Sequence, residues 1–220
     1  MSHSQTNELQ DGLAALGLSL SAHQVAQLLT YQDLIGKWNK VYNLTAVRSP
    51  DEMLRHHLLD SLAVLPALER HLSSVGFTDG KVARLLDVGS GAGLPGVVLA
   101  VCCPHLQVTC VDTVGKKTAF IQQAASTLQL TNLKAVNARV ETLKGADFDV
   151  VCSRAFASLV DFTTWSQAAL SPTGVWLAMK GKHPADELVA LPSNISLFHV
   201  EQLKVPGLDA ERCLLWLRAK

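Results

Sequence analysis

The rhythm of apolar positions changes near residue 80. Upstream, apolar residues recur at three- and four-residue steps; downstream, short apolar runs alternate with amphipathic stretches. After Ser21, the residues Val25, Leu28, Tyr31, Ile35 and Trp38 fall on one face of a helix. Ser49, Pro50 and Glu52 read as a second helix start: a capping hydroxyl, a proline in the first helical position and a capping-box acid. Leu54, Leu58, Leu62 and Leu65 mark the buried face of that helix, with His56, His57 and Asp60 expected off it. Beyond a connection at 73–81, strands are predicted at 83–88, 107–112, 133–137, 148–153, 175–180, 195–204 and 212–217. Alternation of strand and helix predicts an α/β fold, a seven-stranded, mostly parallel sheet with crossover helices. The last two strands, separated by little more than 205–210, are expected to form a hairpin at the sheet edge. The expected organisation is an N-terminal helical extension over 1–80 and one α/β domain over 81–220.

The first strand runs into LLDVGSGAGLPG, residues 85–96, with glycines at 89, 91, 93 and 96. Glycines let the backbone turn tightly and approach a ligand closely, so this is a nucleotide-type loop. Its floor is expected to be made of main-chain N–H groups at the start of the next helix. Gly91, Gly93 and Gly96 also spell G-x-G-x-x-G, which a dinucleotide site would share. Two features favour S-adenosylmethionine over NAD or FAD. Asp87 stands before the glycines, where a carboxylate would repel a pyrophosphate and attract an ammonium and a sulfonium, and Pro95 removes an N–H donor. Asp112 ends the second strand about twenty residues later, where an acid can accept from both ribose hydroxyls. It can equally cap the helix that begins near Val114.

Composition narrows the setting. The chain has 220 residues, 48% of them hydrophobic, enough for one substantial core. Lys plus Arg and Asp plus Glu are both 19, so RNA binding would have to come from a local patch. The five cysteines (Cys102, Cys103, Cys110, Cys152, Cys213) lie in apolar segments without C-x-x-C spacing, as expected of reduced core residues in a cytosolic protein. No signal segment and no apolar run of membrane-spanning length is apparent.

In open α/β sheets ligands bind beyond the carboxyl ends of the strands. Val140 and Glu141 follow the third strand and can border an adenine; Glu141 can also be a solvated helix-start acid. Arg139, Arg154, Lys180 and Lys182 gather positive charge on the same edge as a phosphate-facing rim. Arg154 is the sharpest, because a charge ending an apolar strand needs a partner or a cleft; a structural ion pair with Asp87 or Asp112 is its plainer reading. Lys182 taken alone is an ordinary exposed lysine. A second basic set, Lys37, Lys40, Arg48, Arg55, His56 and His57, lies in the helical extension with Trp38 and Tyr42 among it, a composition suited to RNA. Trp38 sits on the apolar face and reads as core. Adjacent histidines point to different helix faces, and no metal site is expected.

The chain lacks the Asp/Asn-Pro-Pro-aromatic loop that accepts an exocyclic amine, and Cys110 and Cys152 lie within strands rather than on a mobile loop, which disfavours cytosine carbon-5 chemistry. A ring nitrogen such as guanine N7 already presents a lone pair and needs no general base. Methylation there rests on orienting two reactants. A small-molecule methyltransferase with the extension as a lid, and a donor-binding regulator without turnover, are the competing classes; the basic and aromatic set at 37–57 disfavours the lid.

Taken together, WNKVYNLTAVRSPDEMLRHHLLDSL (38–62), LDVGSGAGLPG (86–96), SRAFASL (153–159), MKGK (179–182) and VPGLDAER (205–212) resemble the RsmG (GidB) family of bacterial 16S rRNA guanine-N7 methyltransferases. The resemblance runs from about Leu16 to near the end of the chain, with 69–82 departing in length and content. It implies a Rossmann-like class I S-adenosylmethionine-dependent methyltransferase fold. It also implies a cytoplasmic enzyme, a monomer, acting on 16S rRNA or the small ribosomal subunit at guanine 527 of the 530 loop. Gly89, Leu94, Val140, Glu141 and Arg154 match the family's donor contacts and Asp112 its ribose acid; Asp87, Gly91 and Gly93 complete the loop. Arg139, Arg154 and Lys180 match basic positions expected to serve catalysis or RNA placement.

Overall fold

The computed structural model of the protein describes residues 3–77, 80–143, 145, 147–154, 156 and 158–220. Thr78 and Asp79 of the expected connection, and Ala155 and Ala157 of the SRAFASL string, lie outside the described residues. The N-terminal part holds α1 (His3–Ala15), α2 (Ala22–Tyr42), and α3 (Pro50–Met53), which continues through a π-helical segment (Leu54–Leu59) into α4 (Asp60–Leu62), and then α5 (Leu65–Ser74). The α/β part follows as β1 (Ala83–Val88), α6 (Gly96–Cys102), β2 (Leu106–Asp112), α7 (Gly115–Thr127), β3 (Leu133–Asn137), β4 (Phe148–Ser153), α8 (Leu159–Ser166), β5 (Leu170–Lys180), α9 (Ala185–Val189), β6 (Ile195–Leu203) and β7 (Arg212–Ala219).

The sheet order is β3-β2-β1-β4-β5-β7-β6. The first five strands pair in parallel, and β7 runs antiparallel to both β5 and β6. The expected hairpin is present, with β6 on the outside. Strand order reverses between β1 and β4, which opens a crevice at their carboxyl ends. Five of the strand spans fall within a residue of expectation or match it. β5 begins earlier than expected, at Leu170, where Pro172 and Gly174 mask a strand signal and the β4 pairing shifts register between Phe148 and Val150.

Local chemistry explains how the helices start. Ser21 accepts the Gln24 amide at 3.2 Å, and the Gln24 side chain accepts the Ser21 amide at 3.0 Å, a closed capping box on α2. At Ser49 no such box forms: Pro50 takes the first helical position, and the Gln32 side chain of α2 donates to the Pro50 carbonyl at 3.1 Å. The entry to α3 is therefore held from outside, and Glu52 is exposed.

One continuous core joins α1, α2, α5, α6 and α7 to one face of the sheet, from Leu9 through Leu58, Val97 and Phe120 to Trp216. A second core on the opposite face packs α8 against Leu86, Val151, Trp176 and Leu215. Leu54, Leu58, Leu62 and Leu65 are buried as expected, whereas His57 and Asp60 correct the expectation, each being only 4% exposed. Their partners explain the difference. The His57 Nε2 lies 2.9 Å from the Thr45 hydroxyl, and Asp60 is held by two arginines 94 and 152 residues away. Periodicity along one helix cannot see such partners.

The extension also touches the glycine loop. The buried Tyr31 hydroxyl on α2 donates to the Ala92 carbonyl, and its ring stacks on Phe120 of α7. Tyr31→Phe leaves that carbonyl unpaired, and is expected to cost about 1–3 kcal/mol in denaturant unfolding followed by circular dichroism.

Candidate active site

Gly89, Gly91 and Gly93 have φ of +65°, +59° and +88°, backbone that side chains rarely adopt. Gly96 serves a different need: a Cβ there would stand 2.4 Å from the Cys110 sulfur and 2.8 Å from Asp87 Oδ2, so its absence lets α6 sit against β1 and β2. The loop amides turn inward. Gly89 and Ser90 donate to the Val111 carbonyl at 2.9 and 3.2 Å, Gly93 and Leu94 to the Ser90 carbonyl at 2.7 and 3.0 Å, Gly91 to Asp112 Oδ2 at 2.9 Å, and Gly96 to Asp87 Oδ2 at 2.9 Å. The expected floor of ligand-facing N–H groups is thereby corrected: these donors are spent on the protein itself. A pyrophosphate needs such donors free; a cationic methyl donor does not.

Asp87 lies beneath the loop rather than in front of it, fully buried. Burial raises its pKa to about 7, with the Gly96 amide and the more distant Arg154 pulling down and Asp112 pushing up. Oδ2 takes Gly96, while Oδ1 is buried with no partner among the described residues. Asp87 therefore braces the turn and holds an unspent acceptor; it is not an exposed anion at the mouth of the site.

Beside the loop is a cavity of about 420 Å³, lined by Val88, Gly89, Asp112, Val140, Glu141 and Trp165 among others. Asp112 Oδ1 accepts the Val114 amide at 2.9 Å, so it both orders the start of α7 and borders the cavity. Lys117 stands 3.7 Å from its other oxygen. Arg139 also lines this cavity, is 74% exposed and pairs with Glu141 at 3.7 Å. Phe156 and Trp165, edge-to-face with centroids 5.5 Å apart, complete an aromatic wall that sequence reading missed. The available signal was their place just beyond the end of β4, where open α/β sheets bind ligands; Trp165 is 40% exposed there. Gly91, Gly93 and Leu94 shape the loop without lining the cavity.

A second cleft, about 360 Å³, opens along the same edge over β4 and β5, lined by His56, His57, Asp60, Arg154, Lys180 and Arg212 among others. Arg154 Nη1 donates to the His56 carbonyl at 2.8 Å and lies 3.3 Å from Asp60 Oδ2. Its ion-pair partner is thus neither Asp87 nor Asp112. Lys180 Nζ sits 2.9 Å from both Glu187 oxygens, and Glu187 also takes the Leu159 amide at 2.7 Å. Arg139 and the pair Arg154 and Lys180 consequently occupy two different cavities.

The basic set on the extension divides. Lys37, Lys40 and Arg48 are exposed, as is Lys182 on the rim. Arg55 is tied to Glu8 at 2.6 Å. His57 is buried, and desolvation with the nearby Arg154 lowers its pKa to about 4, so it enters the site as a neutral ring. Trp38 packs on Phe120 and Tyr42, in keeping with a core role. Away from both cavities, Glu69, Cys103 and His105 come together, with the Cys103 thiol donating to Glu69 at 3.1 Å. Burial, then that bond, push this thiol far above its ordinary pKa, so it is a protonated donor.

The family model for rRNA small subunit methyltransferase G matches residues 24–215. The chain belongs to this family. A relative named ribosomal RNA small subunit methyltransferase G from Polaromonas naphthalenivorans is 68% identical over 96% of this chain and 94% of its own length. One from Acidovorax sp. strain JS42 is 66% identical over 96% and 93%. Solved structures agree on the fold: TrmN from Thermus thermophilus has a TM-score of 0.55 at 21% identity, covering 76% of this chain and 53% of that one. A mutant of MtNAS in complex with S-adenosylmethionine has 0.57 at 15%, covering 86% and 75%. The shared fold is Rossmann-like, the architecture of class I S-adenosylmethionine-dependent methyltransferases.

Asp87 gives a pH test. Its folded pKa of about 7 lies above the ordinary 3.8, so the folded state keeps a proton that the unfolded chain releases. Its contribution to stability is whole below pH 3.8 and is lost as pH rises to about 7. The unfolding free energy of wild type minus that of Asp87→Asn should therefore fall across this window and level off above it. His57, titrating with the opposite sign in both proteins, cancels in the difference.

Proposed function

We propose that this chain methylates N7 of a guanine in 16S rRNA, the 530-loop guanine that family resemblance singles out, with S-adenosylmethionine as donor. What carries the reading is the pairing of two cavities on one sheet edge, a nucleoside-sized one with an acid and an aromatic wall and a basic one beside it. When bound, the donor supplies a methyl group on a sulfonium. Asp112 would hold the ribose hydroxyls, Val140 and Glu141 would border the adenine, and Trp165 and Phe156 would cover it. The loop amides, already closed on protein acceptors, leave no donors for a phosphate and fit a cation better.

The acceptor needs orientation rather than deprotonation, since N7 offers its lone pair directly. Arg154 and Lys180 would position it in the second cleft, with Arg139 at the rim of the donor cavity and Lys182 beyond. The extension over 1–80 would place the RNA through the exposed Lys37, Lys40 and Arg48. His56 contributes through its backbone, Arg55 only if Glu8 yields, and the neutral His57 by shape. Among the described residues no helix is long and apolar enough to cross a membrane, and on this reading the enzyme works in the cytoplasm as a monomer on the small subunit.

Incubation with radiolabelled donor and unmodified small subunits should place label on a single guanine, recovered as 7-methylguanine. Label on a metabolite and none on RNA would replace this reading with the small-molecule one. Trp165→Ala should raise the donor Kd about tenfold in calorimetry, the value of one lost stacking partner. Lys37→Ala should leave that Kd unchanged and slow transfer to the subunit.

A further inference from the structure

Asp60 is a carboxylate only 5% exposed, at the point where the π-helical segment returns to α-helix. Burying such a group is costly unless it is paired. It has two partners from distant strands: Arg212 Nε of β7 at 2.7 Å on Oδ1, and Arg154 Nη1 at the end of β4, 3.3 Å from Oδ2. Neither guanidinium is exhausted by this. Arg154 spends Nη1 on Asp60 and the His56 carbonyl, and Arg212 spends Nε on Asp60 and Nη1 on the Glu211 carbonyl. Each guanidinium carries five N–H donors, so further donors remain on both side chains, which line the second cleft. Without Asp60 two like charges would face each other and separate.

We propose that Asp60 is a positioning residue that fixes the Arg154 and Arg212 guanidinium groups so that their remaining N–H donors recognise the O6 carbonyl of the acceptor guanine. This rests on the rRNA methyltransferase reading and adds the basis of its choice of base. Guanine carries acceptors at both O6 and N7, whereas adenine carries an amino donor at the corresponding ring position. A donor on O6 leaves the N7 lone pair free to receive the methyl group, and the same donor meets an adenine amine with repulsion. Lys180, the third cation of the cleft, is held by Glu187 and stands apart from this clamp.

The test uses small subunits reconstituted with either guanine or 2-aminopurine at the target; 2-aminopurine keeps N7 and the 2-amino group and lacks O6. Wild type should methylate guanine at least about tenfold faster than 2-aminopurine. In Asp60→Asn the guanine rate should fall and the 2-aminopurine rate hold, bringing the ratio to within about threefold, with Asp60→Glu intermediate. A purely structural loss would lower both rates together, so a wild-type ratio in a slowed variant overturns the proposal, as does a wild type with no preference. Thermal unfolding checks the fold of each variant, and failure of both to fold marks Asp60 as a structural pin and equally overturns it. A wild type that methylates neither particle would instead refute the enzyme reading.

Discussion

The glycine loop after β1 spends its own amides. Val111 and Asp112 of the neighbouring strand, Ser90 within the turn and Asp87 beneath it take the N–H groups of Gly89, Ser90, Gly91, Gly93, Leu94 and Gly96. The turn is thereby locked to β2, and Asp112 is locked with it, one oxygen on Gly91 and the other on Val114. A loop built in this way offers shape and acceptors more than donors. That suits a ligand carrying positive charge and hydroxyls and disfavours one that must neutralise two phosphates.

The helical extension is part of the same construction. Tyr31 reaches the loop at Ala92, its ring meets Phe120 of the helix that Asp112 starts, and the core is continuous from Leu9 to Trp216. On the other side of the edge, the start of α4 presents Asp60 to Arg154, just beyond β4, and to Arg212 of β7. The extension thus contacts the glycine loop through α2 and the second cleft through α4. Charge is arranged locally in a chain whose formal net charge is zero.

Much of the fold was legible because its signals are local. Strand 1, strand 3 and strand 4 are bounded by clear apolar runs, and the apolar face from Val25 to Trp38 after Ser21 announces α2. The loop and Asp112 were legible for the same reason, since strand, glycines and acid follow one another in sequence. What escaped depends on distant partners. Asp60 and His57 look like solvent-facing residues until Arg154, Arg212 and Thr45 are brought to them. Asp87 reads in sequence as a charge facing the ligand, which misjudges burial: the residue lies under the turn, where desolvation holds its proton to about pH 7. Trp165 was missed because an aromatic within a short helix reads as core until a cavity is found beside it.

A loop with its amides closed fits a cationic alkyl donor better than a dinucleotide. Calorimetric titration of the intact protein with S-adenosylmethionine and, separately, with NAD tests it most directly. Saturable one-to-one binding of the first with no heat from the second at millimolar concentration is the predicted result; binding of NAD with comparable affinity would contradict it.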